Sequence, residues 1–303
     1  MRYKSVEVQV PAKVNLQLAV GPKESDGYHE VVTVFQAISL LDTVKVSDAS
    51  EFSISISGDY VNGVPLDKDN LVSKAVALMS ERFDTKQELE ISINKKIPVA
   101  GGMAGGSADA AATLLGIDQL YGLNLNKDEL GDIARGLGSD VPFMLHGGTA
   151  IGRGHGDEVT PALSRGTYSW VIAVSSAGLA TPAVYAECDR LRTGLEIKAP
   201  SLNDELLQAL LSADAVRVGK CLTNDLQAAA CSLRPALRLI LDMGHEYGAL
   251  GGIVSGSGPS VAFLVADEDH SLDLAVALTS SGVVGSVARA QGPVHGAKVI
   301  SVN

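Results

Sequence analysis

Residues Pro98 to Leu114 read PVAGGMAGGSADAAATL: four glycines fall within positions 101–106, and an unbroken run of good helix formers follows. A tight turn needs only one or two glycines, because few other residues take positive φ at little cost. The segment ahead, ELEISINKK (Glu88 to Lys96), alternates as a strand. Strand, glycine-rich loop and helix in that order aim free backbone N–H groups and the positive helix end at one point, which makes an anion site. Glycines also let the chain come close to a bulky triphosphate and let successive N–H groups curl into a nest. The candidate nucleotide contacts are therefore Pro98, Val99, Ala100, Gly101, Gly102, Met103, Ala104, Gly105, Gly106, Ser107 and Ala108, with the helix expected from about Ser107 and Ser107 as its cap. Asp109 suits the helix dipole but would repel a phosphate if it pointed inward, so it is read as turned outward or holding a metal. The loop is neither Gly-x-x-x-x-Gly-Lys-[Ser/Thr] nor Gly-x-Gly-x-x-Gly, and taken alone it leaves open a packed glycine turn without a ligand.

The net charge of −11 repels polyanions and argues against general binding to nucleic acid or anionic membranes, while a local loop still suits a small anion. Cys188, Cys221 and Cys231 show no Cys-x-x-Cys spacing and read as small buried hydrophobes. MRYKSVEVQVP at the start lacks the apolar core of a signal peptide, and no apolar run approaches the ~20 residues of a membrane span. A cytoplasmic protein, monomer or homodimer, is expected.

Val6, Val8 and Val10, then Val14, Leu16, Leu18 and Val20, alternate as two strands on either side of Pro11, which places Lys13, Asn15 and Gln17 on one face. Val31–Leu40 and Phe52–Ser57 read as further strands, Asn70 caps a helix, and a short helix lies near Lys127–Arg135. His146–Val159 reads as a hairpin or irregular connection, and a second region opens with the strand Ser169–Ser176. Helices over Thr181–Leu191, Asn203–Leu211, Asn224–Leu233 and Pro235–Tyr247 precede a strand–loop–strand over Gly251–Asp267, a helix near Leu272–Leu278 and a tail strand. The domain boundary is expected near Arg165, giving 1–165 and 166–303.

Pro98, Gly102, Gly105, Gly106, Ser107, Ala110 and Ala111 resemble the central motif of the GHMP small-molecule kinases, aligned with one extra residue before the serine; Ala104 and Ala108 depart from it, where glycine and serine are usual. Pro11–Leu40, with Pro-Ala-Lys-x-Asn-Leu and Asp-Gly-Tyr-His, Leu137–Leu145 and Val254–Phe263 resemble the branch whose acceptor is 4-diphosphocytidyl-2-C-methyl-D-erythritol, in the non-mevalonate isoprenoid pathway. The resemblance implies an α/β (α+β) two-domain GHMP kinase fold, with an N-terminal domain like ribosomal protein S5 that binds ATP and a C-terminal ferredoxin-like domain. ATP and Mg2+ are the implied cofactors, and no residue identifies itself as a ligand of the metal.

Phosphoryl transfer to an alcohol needs a proton acceptor and positive charge on the transferring group. Lys13 and Asp140 are the available pair, and the family's catalytic lysine and aspartate fall on these positions. By the same resemblance Tyr28 and Tyr185 sandwich the cytosine, His29 hydrogen-bonds it, Asn15 helps place the methylerythritol end, and Thr181 and Gly256 complete the acceptor site. Tyr185 taken alone is equally well a helix residue packed on the core. Asn70 borders the adenine in the family, although capping alone explains it, and Lys95 and Lys96 face either phosphate, adenine or solvent. Gly256, Ser257 and Gly258 close over the phosphates or support the first loop. A kinase for homoserine, mevalonate or a sugar, or a non-catalytic nucleotide binder of the same fold, remains as the alternative.

Overall fold

A computed structural model describes residues 1–99, 101–175 and 178–303; Ala100 lies outside the described residues. In the first of two sheets, the strands Lys298–Val302, Ser5–Lys23, His29–Asp48, Leu89–Lys95 and Ser53–Gly58 lie side by side in that order. Neighbours are antiparallel except Ser53–Gly58 with Leu89–Lys95. A parallel pair needs a crossover, and the helix Leu71–Phe83 supplies it. The expected hairpin near residue 150 pairs Thr149–Arg153 with Glu158–Pro161 and leans on His29–Asp48.

The two alternating runs around Pro11 form one strand, Ser5–Lys23. Its register against His29–Asp48 slips between Pro11 and Ala12, and such an irregularity accommodates a residue with no N–H to donate. The helix Gly105–Tyr121 begins two residues earlier than expected. Ala104, at φ +60°, takes the capping position without a side-chain hydrogen bond, so Ser107 lies inside the first turn and does not cap. This helix is buried between the first sheet and Leu71–Phe83, and it fits because it is made of small residues: a Cβ on Gly116 would stand 2.6 Å from Val46 Cγ2.

The second sheet runs Ser286–Gly292, Tyr168–Val174, Val261–Val265, Gly251–Val254, all antiparallel. Ser286–Gly292 and the short helix Ala215–Lys220 had no counterpart in the sequence reading. Alternation along Tyr168–Val174 divides two cores. Trp170 and Ile172 join the apolar cluster of the first sheet, while Val171 and Ala173 join one formed with the helices Thr181–Leu191, Gln227–Leu233, Ala236–Glu246 and Glu268–Ser280. Trp170 Nε1 donates to Gln36 Oε1 at 3.0 Å and ties one sheet to the other. The three cysteines are free and buried. Among the described residues no helix is long and apolar enough to cross a membrane.

Candidate active site

Lys13 and Asn15 sit on the first strand, on the face opposite Val14 and Leu16, and both are buried. Lys13 Nζ donates to Asn15 Oδ1 at 2.6 Å and lies 3.8 Å from Asp140 Oδ2. Asn15 is held in turn by donating to Thr33 Oγ1 at 2.8 Å. Asp140 precedes the helix Val141–His146 without spending its carboxylate on capping, so that group stays free to face Lys13. Burial pushes the Lys13 ammonium below the ordinary lysine range, and the charge of Asp140 partly offsets this.

The glycine loop arches over this pair. Lys13 N donates to Met103 O at 3.3 Å, and Gly102 lies so close to the loop at 255–258 that a Cβ there would stand 2.0 Å from Ser255 O, at φ +75°. Ser255 Oγ donates to Gly102 O at 3.0 Å and Ser260 N to Gly101 O at 3.2 Å, so the two glycine loops are locked together. Asn224 Nδ2 anchors the second loop by donating to Val254 O at 2.7 Å and Gly256 O at 2.8 Å. Gly101, Gly102, Ala104, Gly105, Gly106 and Ser107 line a cavity of about 480 Å³ together with Lys13, Asn15, Asp140, Thr181, Tyr185 and Gly256. An uncapped helix start and a glycine cradle that no Cβ could enter at Gly102 fit a triphosphate.

Asp109 corrects the sequence reading. It does not turn outward but into the protein, where its Oδ2 accepts from Lys95 Nζ at 2.7 Å. Lys95, which stands outside the cavity lining, also pairs with Asp42 and donates to Gly105 O at 3.3 Å. Burial alone would lower the Lys95 pKa, but Asp109 and Asp42 outweigh it and raise it. Burial holds the Asp109 carboxyl well above the usual range, with Lys95 opposing and the charge of Asp42 reinforcing the shift. Asp42 Oδ1 further accepts from Ile97 N at 2.8 Å, which fixes the chain where it enters the loop.

Some expected contacts do not line this cavity. The side chains of Met103 and Ala108 are fully buried in the core, and Pro98 and Val99 stand outside the lining. Lys96 is exposed away from it, and Asn70 accepts from Val72 N at 2.9 Å while donating to Pro65 O.

A second cavity, of about 640 Å³, adjoins the first; Val31, Ser139, His155, Thr181 and Tyr185 line both. Tyr28 and His29 lie here with Asp189. His29 Nε2 and Asp189 Oδ1 are 2.8 Å apart, and the rings of His29 and Tyr185 are 5.2 Å apart between centroids. Burial, with a smaller push from Asp140, raises the Tyr185 hydroxyl to about 12, so it stays protonated at neutral pH. The hydroxyls of Thr181 and Ser257 approach to 2.9 Å and join the start of Thr181–Leu191 to the second glycine loop. Ser139, His155 and Asp189 were missed by sequence reasoning, with only the neighbouring glycines of Ser139 and His155 as a hint, whereas Ser257 belongs to the second glycine loop already singled out.

Residues 70–148 match the GHMP kinases N terminal domain and residues 206–284 the GHMP kinases C terminal domain. The chain is 49% identical over 300 residues to a 4-diphosphocytidyl-2-C-methyl-D-erythritol kinase of Rhodococcus jostii (strain RHA1), covering 98% of this chain and 96% of that protein. The chain belongs to the GHMP kinases. A crystal structure of a 4-(cytidine 5'-diphospho)-2C-methyl-D-erythritol kinase superposes on this GHMP kinase with a TM-score of 0.76 at 30% identity, covering 94% of this chain and 98% of the other. A homoserine kinase from Cytophaga hutchinsonii reaches a TM-score of 0.73 at 21% identity over 98% of each chain, which shows a shared fold alone. The α/β GHMP kinase architecture that the motifs implied is therefore the one observed. Chemically, this GHMP kinase sets a buried cation beside an uncapped carboxylate at the foot of an anion cradle, next to a cavity with aromatic walls.

Proposed function

We propose that this GHMP kinase transfers the γ-phosphoryl group of ATP to the 2-hydroxyl of 4-diphosphocytidyl-2-C-methyl-D-erythritol, a step of non-mevalonate isoprenoid precursor synthesis. The observation that carries the reading is the joining of the two cavities: a base-sized aromatic cluster at Tyr28, His29 and Tyr185 adjoins the Lys13–Asp140 pair through a shared wall. Relatives near half identity over nearly the whole chain bear the name of that kinase.

In this mechanism Asp140 takes the proton of the acceptor hydroxyl as its oxygen bonds to the γ-phosphorus. The bond from that phosphorus to the bridging oxygen breaks, and ADP leaves. Lys13 orients Asp140 and offsets charge on the transferring group, and Asn15 holds Lys13. The loop amides at 101–107 hold the triphosphate. Ser107 and Asp140, whose side chains line the cavity, would hold Mg2+, which would neutralise phosphate charge when it accompanies ATP. Among the described residues no three His, Cys, Asp or Glu side chains gather to cage a metal.

Base selection follows from Asp189. With Nε2–H donated to that carboxylate, His29 offers Nδ1 as an acceptor, which suits the cytosine amino group and not the uracil carbonyl. ADP release measured with ATP and each of 4-diphosphocytidyl-2-C-methyl-D-erythritol, its uridine analogue, homoserine and mevalonate tests the reading. Turnover is expected with the cytidine acceptor alone; preference for another alcohol, or binding of ATP and the cytidine ligand without transfer, overturns it.

A further inference from the structure

His155 has no part in the mechanism above, yet it stands at the wall common to both cavities. It occupies the turn between Thr149–Arg153 and Glu158–Pro161, and its ring lies 5.1 Å from that of Tyr28 with 28° between the planes. Each turn is set by its own aspartate: Tyr28 N donates to Asp26 Oδ1 at 2.9 Å and His155 N to Asp157 Oδ1 at 3.2 Å. Val31 N donates to Gly154 O at 2.8 Å, which fixes the hairpin turn against the strand that follows Tyr28. Asp26 Oδ2 also comes within 4.0 Å of His155 Nε2. The backbones of both turns are thus fixed, while Tyr28 itself is 64% exposed, and its ring conformation depends on what stacks against it. One face is covered by His155, which leaves the other for a flat ligand.

We propose that His155 is a positioning residue of the acceptor site: its ring backs Tyr28 and keeps it as a ready platform for the acceptor's base, without itself touching the base or the reacting atoms. This rests on the reading of a cytidine acceptor. Without the backing ring, Tyr28 has to be ordered at the moment of binding, and the cost falls on acceptor affinity alone.

The test is a comparison of steady-state constants for wild type, His155→Ala and His155→Phe, with an NMR measurement of the Tyr28 ring signals. His155→Ala is expected to raise the KM for the cytidine acceptor about three- to tenfold, with kcat and the KM for ATP unchanged; His155→Phe restores the acceptor KM because stacking needs a ring and not a charge. A His155→Phe enzyme as impaired as His155→Ala, or a His155→Ala enzyme with unaltered acceptor KM, overturns the proposal. The NMR arm is independent of the acceptor: Tyr28 ring signals displaced by the neighbouring ring in wild type should move toward free-tyrosine positions in His155→Ala. If wild type fails to phosphorylate the cytidine acceptor, the proposed function falls, and the NMR arm still decides whether His155 orders Tyr28.

Discussion

Lys13 Nζ lies 3.8 Å from the Asp140 carboxylate and 2.6 Å from Asn15 Oδ1, so the cation is held by a neutral amide on one side and faces the proposed base on the other. Asp140→Asn keeps the shape and removes the proton acceptor. We expect kcat to fall by about 10²–10⁴ in a protein that still folds, with its thermal transition lowered because buried Lys13 loses its counter-charge. A variant with near wild-type kcat would remove Asp140 from the role of base.

Because burial lowers the Lys13 pKa, the positive charge that assists transfer is lost at lower pH than for an exposed lysine. The rate should decline as pH rises through that lowered value, and Lys13→Arg, whose charge persists, should remove this alkaline limb even at reduced activity. Steady-state rates across neutral to alkaline pH check this; a wild-type profile flat up to the ordinary lysine range contradicts it.

Gly102 is the point where the two glycine loops meet. A methyl there collides with Ser255 O and sits at a φ that side chains resist. Gly102→Ala should therefore spread the loops and raise the KM for ATP at least tenfold, whereas Gly106→Ala, with Leu71 as its nearest neighbour at 3.8 Å, should cost far less. Equal effects at the two sites would argue against the interlock.

Lys95→Met leaves Asp42 and Asp109 buried together without their cation, and should destabilise the fold by about 3–5 kcal/mol. Asp109→Asn behaves differently. A carboxyl whose pKa is raised on folding contributes stability that is fully present below the ordinary carboxylate range and is lost as pH rises through the raised value. The asparagine variant, which still accepts from Lys95, should thus show a flatter dependence of Tm on pH. Calorimetry between pH 4 and roughly 9 reads this directly, and a wild-type Tm that does not fall above the carboxylate range contradicts it.

Asp189→Asn removes the carboxylate that holds the His29 tautomer. The ratio of kcat/KM for cytidine over uridine acceptors should shrink about tenfold or more, with turnover of ATP at saturating acceptor little changed. An unchanged ratio would show that the base is read by another group.

The elements with strong periodicity were legible from sequence: the helix Thr181–Leu191 has the expected bounds, Asn70 caps as expected, and the helix expected from Asn203 starts one residue later with Asn203 as its cap. The glycine loop stood out because flexible backbone is visible in a one-dimensional reading, whereas Lys13 and Asp140, ordinary charges taken alone, were singled out by the resemblance of their flanking motifs to the GHMP kinases. What escaped it depends on partners distant in the chain. Asp109 was misread because Lys95 and Asp42, which draw it inward, come from two separate strands. Asp189 meets His29 from 160 positions away. Ser286–Gly292, with alanine, arginine and glutamine, carries no alternating apolar signal and becomes a strand because Tyr168–Val174 offers it an edge.

The strand Lys298–Val302 pairs along the outer edge of Ser5–Lys23, and the backbones of Ser5 and Asn303 exchange hydrogen bonds at 3.1 and 2.9 Å. During synthesis Val6–Gln9, at the start of the strand that carries Lys13, therefore keep one edge bare until Lys298–Val302 has been made. Throughout that interval the bare edge is open to mispairing with the nascent chains of neighbouring ribosomes.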